Sequence, residues 1–127
     1  MVAEVLLTIR VFRTPWFTKA AQKARIKDHE LCDAIVQAQN GQAVDLGGGV
    51  FKKRLSNNQY RGVILAKGGS CWVFQYLFAK KDRDNLNSSE LQIFRELAKA
   101  YATLSLSQIA ELIRNEDFIE ICKKEKP

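Results

Sequence analysis

The sequence predicts an α+β fold: a mostly antiparallel sheet of about four strands packed against helices, in the order β-α-α-β-β-β-α-α. Three observations lead there. Residues 50–79 alternate with period two and are interrupted by the short polar connections "SNNQ" and "KGGS", the pattern of antiparallel hairpins. Two other stretches, near 14–41 and 87–114, carry apolar residues at helical spacing behind helix-start residues. The length, 127 residues, suits one domain spanning 1–127 with its own core.

Residues 4–12, "EVLLTIRVF", are β-branched and aromatic and predict the first strand. Thr14 before Pro15 is a helix start, with Thr as cap and Pro at the first helical position. Phe17, Ala20, Ala21 and Ala24 then fall on one helical face. A second helix follows, with Asp28 as its expected cap, Leu31, Ala34, Ile35 and Ala38 as its apolar face, and Gly41 as its stop. The glycines at 47–49 predict a tight loop, because glycine marks unusual backbone angles. Val50–Leu55, Tyr60–Lys67 and Cys71–Ala79 predict three strands. Asn87 with Glu90, and Ser105 with Gln108, are capping-box pairs that open a third and a fourth helix. The third carries Leu91, Phe94, Leu97, Ala98 and Tyr101 as its stripe, and the fourth runs to about Arg114. The tail "FIEICKKEKP" can hold a brief strand before a basic end. Helices are expected to cover one face of the sheet.

Charge narrows the function classes. The net charge is +6, which favours a polyanionic partner without saying which one. Between residues 46 and 86 the bases are Lys52, Lys53, Arg54, Arg61, Lys67, Lys80, Lys81 and Arg83, and the acids are only Asp82 and Asp84. A plain solvated sheet face normally mixes both signs. Alternation puts Lys52 and Arg54 on one face with Val50, and Phe51, Lys53 and Leu55 on the other. It puts Arg61 with Val63 and Leu65, and Trp72, Phe74, Tyr76 and Phe78 in one stripe. A cationic patch flanked by aromatics suits a phosphate backbone and unstacked bases.

Other chemistries find little support. "GGGVFKKR" matches neither phosphate-loop pattern, and it leads into a strand instead of a helix N-terminus. His29 is the only histidine, so no multi-histidine metal site exists and no cofactor is expected. Cys32, Cys71 and Cys122 are odd in number and scattered, the usage of reduced thiols in a cytoplasmic protein. The N-terminal run is too short and too interrupted by Glu4 and Arg10 for a signal peptide or a membrane span, so no membrane partner is expected. Trp16 and Trp72 are read as core or rim aromatics, not stacking platforms.

The ordered set "DLGGGVFKKR", then "YR", then "FAKKDRDNL" ahead of a helix near Glu90 resembles the RelE/HigB-like toxins of type II toxin–antitoxin systems. The resemblance runs from about Phe12 to Glu120. It implies a RelE-like α+β fold and a metal-independent endoribonuclease that cuts messenger RNA, commonly on the ribosome, and is restrained by a cognate antitoxin. In that chemistry the ribose 2′-hydroxyl attacks the adjacent phosphate. By position, the resemblance makes Lys52, Arg54, Arg61, Lys81 and Arg83 catalytic. Arg61 and Lys81 would stabilise charge at the scissile phosphate, while Lys52 and Arg54 would orient the 2′-hydroxyl. Lys52 is the better base, since arginine stays protonated. Lys53, Lys80 and Tyr60 would contact RNA. The alternative is a non-catalytic binding module, either a decayed toxin or a relative acting on gyrase. "SNNQ" stands where many relatives have a longer glycine- and lysine-rich turn, and Asn85 and Asn87 stand where some have a tyrosine. The general acid is thus unassigned.

Overall fold

The computed structural model describes residues 9–67 and 71–123. Its elements are β1 (Arg10–Arg13), α1 (Pro15–Ala24), α2 (Asp28–Gln39), β2 (Val44–Gly47), β3 (Val50–Leu55), β4 (Tyr60–Lys67), β5 (Cys71–Ala79), α3 (Ser88–Ala102), α4 (Leu106–Arg114) and β6 (Ile119–Ile121). The expected first strand begins at Arg10; its residues 4–8 lie outside the described residues, as do 68–70 of the "KGGS" turn and the tail from 124.

Three of the four helix-start signals act as expected. Thr14 Oγ1 accepts from the Phe17 N–H at 3.2 Å, a cap worth about 1 kcal/mol. Both capping boxes are complete, Asn87 with Glu90 and Ser105 with Gln108. Gly41, just past α2, has φ +85°, which fits a helix stop. Asp28 is not a cap: Lys27 occupies that position without a side-chain bond. Asp28 is the first helical residue, where its charge still faces the positive end of the helix, and it pairs with Arg13 at 3.4 Å.

The sheet is larger than expected and mixed. Six strands lie in the order β2-β3-β4-β5-β1-β6. β3, β4 and β5 form the expected antiparallel meander. β1 runs parallel to β5, and β6 closes antiparallel on β1. β2 is only four residues, half exposed and half-buried, ahead of the glycine turn, so its Val44–Asp45–Leu46 alternation is too short to announce a strand. Gly47, Gly48 and Gly49 all have positive φ, and a Cβ on Gly49 would sit 3.1 Å from the Ala66 carbonyl oxygen.

Helices cover both faces, not one. Phe17, Ala21, Leu31, Ala34, Ile35 and Ala38 of α1 and α2 pack on Val11, Leu55, Ile64, Trp72, Phe74 and Leu77. On the opposite face, Ala98, Ile109, Leu91, Phe94 and Tyr101 of α3 and α4 cover Val50, Val63, Leu65, Val73 and Phe78. A helical stripe shows that a helix buries one side; it does not say against which side of the sheet. Fully buried Phe12, Phe17 and Phe74 each contribute roughly 1.5–3 kcal/mol of burial free energy.

Two further expectations are overturned. Cys32 and Cys122 form a disulfide, 90 residues apart, tying α2 to the residue after β6. Their proximity is tertiary and leaves no spacing motif. The stripe Trp72, Phe74, Tyr76, Phe78 is also broken. Val63 pairs with Tyr76 but Ile64 pairs with Phe74, so Gln75 is an extra residue on β5. A bulge of this kind flips the faces of everything beyond it. Trp72 and Phe74 stay under α1 and α2, while Tyr76 and Phe78 turn toward α3.

Candidate nucleic-acid interface

The β5 bulge assembles the site. Residues directly opposite on antiparallel strands share a face. Arg54 pairs with Arg61, and Arg61 with Phe78, giving one cross-strand row. Lys52 pairs with Val63, and Val63 with Tyr76, giving the adjacent row. Three cations and two aromatics from three strands therefore occupy one face.

An arginine opposite an arginine works against sheet stability. The fold tempers this in two ways. Arg54 is exposed, in contact with screening solvent. Arg61 is 8% exposed, and its Nη1 donates to the carbonyl oxygens of Asn58 at 3.0 Å and Tyr60 at 3.1 Å. These are the carbonyls of the "SNNQ" turn and its exit, so the turn serves as a cradle for the guanidinium. Ser56, Asn57 and Asn58 all have positive φ, a tight geometry that asparagine tolerates well.

The segment after β5 folds back over the same rows. Lys52 donates to the side-chain oxygen of Asn85 and reaches the Asp84 carbonyl at 3.5 Å. Arg83 grips both carboxylate oxygens of Glu90 at 2.7 and 2.8 Å and donates to the Tyr76 hydroxyl at 3.0 Å. Its guanidinium lies 5.0 Å from the Phe78 ring centre and 5.6 Å from that of Tyr76. Arg83, through its side-chain bond, holds the Glu90 carboxyl below the usual carboxylate range, helped by the Asn87 backbone N–H. The charge of Arg83 is thus largely offset, whereas among the described residues no ion pair engages Lys52, Arg54, Arg61, Lys80 or Lys81.

The remaining residues expected to form a site are spread out. Lys80 and Lys81 are exposed on the turn after β5, which the Lys80 N–H ties to the Gln59 carbonyl at 2.9 Å. Lys53 and Tyr60 face away. Tyr60 packs with the α1–α2 core, and Lys53 is buried with its ammonium on the Arg54 carbonyl at 3.3 Å. Burial, reinforced by the neighbouring Arg54, pushes the Lys53 ammonium below the usual lysine value. Asn87 is committed to capping α3.

Sequence reasoning expected aromatics beside the cations but kept Tyr76 and Phe78 on one face with Trp72 and Phe74, and it missed Asn85 and Glu90 as neighbours. One signal for the first two was present: Gln75, a polar residue inside "CWVFQYLFA". Its side-chain oxygen accepts from the Tyr101 hydroxyl at 2.9 Å. The Tyr101 phenol is pushed up to about 12, mainly by burial. Among the described residues, no group of three His, Cys, Asp or Glu side chains is placed to hold a metal ion, and no helix is long and apolar enough to cross a membrane.

Residues 9–121 match the family model described as the RelE toxin of the RelE/RelB toxin–antitoxin system. Comparison with curated proteins and with solved structures gives no match.

Proposed function

The chain belongs to the RelE toxin family, and from that premise we propose that it is an endoribonuclease toxin that cleaves messenger RNA, on the ribosome, in the cytoplasm. The observation that supports this best is the row Arg54–Arg61–Phe78 beside Lys52 and Tyr76 on one sheet face, with no acid among the described residues paired to these cations.

In this reading the ribose 2′-hydroxyl attacks the adjacent phosphorus. A bond forms from the 2′-oxygen to phosphorus and the bond from phosphorus to the 5′-oxygen breaks. Lys52 takes the 2′-hydroxyl proton and the leaving 5′-oxygen takes one from water. Negative charge builds on the non-bridging oxygens, where preorganised cations act most strongly. Arg61, held rigid by its two carbonyl partners, meets that charge. Lys52 and Arg54 orient the 2′-hydroxyl, with Lys52 as base. Lys81 and Lys80 reach the flanking backbone from their turn. Arg83 acts mainly by fixing Tyr76 and the loop above Lys52. Lys53 and Tyr60 lie on the wrong face to touch this RNA.

An antitoxin with an acidic or amphipathic segment would silence the protein by covering the same face. The decisive experiment expresses the wild type and Arg54→Ala and maps new RNA ends during translation. Arg54 is exposed, so its loss leaves the fold intact. New ends with the wild type that are lost in the variant support the proposal. No growth arrest and no new ends from the wild type reject it.

A second reading is a non-catalytic RNA-binding module. Asn85 and Asn87 carry amides, which supply no proton to a leaving group, and both are engaged structurally, on Lys52 and on the α3 cap. Retained RNA binding with no cleavage by the wild type would select it.

A further inference from the structure

Trp16 and Trp72 have opposite fates in the fold. Trp72 is a core residue at 5% exposure, whereas Trp16 is 51% exposed. Trp16 is stacked on Tyr76, with ring centres 4.8 Å apart and planes 22° apart. Tyr76 is fixed in turn by Phe94 at 5.7 Å and by Arg83 on its hydroxyl. A large aromatic ring is therefore held rigid on one side and open on the other.

Its place is informative. Tyr76 ends the cross-strand row that begins at Lys52, two strand spacings or about 10 Å away. Trp16 extends that row by one more ring. Lys19, three residues on along α1, is exposed on the same side of the helix. Of the nearby acids, Glu90 is engaged by Arg83 and Glu120 by Arg10, while Glu116 shares a cavity wall with Lys19.

The geometry points to Trp16 as a stacking platform for one unpaired RNA base, whose flanking phosphates lie toward Lys52, Arg54 and Arg61. This rests on the RNA reading above and adds a positioning residue to it. An indole exposed for core packing has no need of a rigid aromatic backing or a cationic approach. A nucleobase uses both, because stacking needs a flat, fixed face and the backbone needs cations alongside. Trp16 positions substrate; it transfers no proton.

The test uses ribosomes programmed with a 2′-O-methyl messenger, which lacks the attacking hydroxyl and stays uncut, and a series with one abasic nucleotide moved through the decoding site. Each is titrated into the wild type, Trp16→Ala, Trp16→Phe and Arg54→Ala. Trp16→Ala should weaken binding about 5- to 150-fold, the loss of one stacked base, and Trp16→Phe much less. One abasic position should weaken the wild type by a similar factor and leave Trp16→Ala unaffected. Equal abasic costs in both proteins would overturn the platform. If Arg54→Ala weakens binding and Trp16→Ala does not, the platform falls and the RNA reading stands. If neither variant matters, or the wild type does not bind, both fall. A Trp16→Ala protein that loses only antitoxin affinity would assign the surface to protein instead.

Discussion

Replacing Arg61 with alanine separates the structural and chemical roles of the basic row. The structural loss can be worked from its contacts. The guanidinium gives up two bonds to the Asn58 and Tyr60 carbonyls. Charged hydrogen bonds are worth about 1.5–3 kcal/mol, but Asn58 is exposed, so water recovers part of that loss. Removing the arginine opposite Arg54 returns up to about 1 kcal/mol. The net cost is about 1–2 kcal/mol, or roughly 3–10 °C in melting temperature for a domain of this size. The chemical loss should be far larger in rate, about 10²- to 10³-fold for one transition-state cation. The assay is thermal melting followed by single-turnover cleavage of ribosome-bound messenger RNA at 25 °C, where the variant is still folded. Arg61→Lys should regain part of the rate, because it keeps the charge without the planar fork. A folded Arg61→Ala protein that cleaves at the wild-type rate would refute the reasoning.

Three other outcomes are expected. Opening the Cys32–Cys122 bond, which closes a segment with a sequence separation of 90, should lower stability by up to about 4.6 kcal/mol; urea unfolding with and without reductant measures it, and Cys122→Ser should abolish the difference. Glu90 and Glu120 are held below the ordinary value of 4.5 by Arg83 and Arg10. Their contribution should be fully present above about pH 4.5 and vanish as pH falls through the lower folded values. Chemical denaturation from pH 7 to 2 checks the sign, and Glu90→Gln should flatten the curve. Gly49→Ala, forced into φ +85° against the Ala66 carbonyl, should cost about 1–3 kcal/mol, whereas Gly41→Ala, with φ +85° and open space around it, should cost less.

Most elements were legible because their causes are local. A threonine before proline, an asparagine three residues ahead of glutamate, and period-two runs between polar turns act over a few residues whatever the rest of the chain does. The basic strand residues Lys52, Arg54 and Arg61 were legible as a set because strand alternation assigns faces within a hairpin. β2 was not, because four residues beside a glycine turn, none of them buried, are too short a run to read as a strand.

By itself, the sequence determined the Thr14, Asn87 and Ser105 helix caps, the β3–β5 meander and an excess of cations on it. Tertiary structure alone decided that helices cover both faces, that β1 enters parallel beside β5, and that Cys32 meets Cys122. It also decided that Tyr76 and Phe78 join the cations. Pairing against β4 places Gln75 as an extra residue, and side chains beyond a bulge change faces only once a partner strand sets the register.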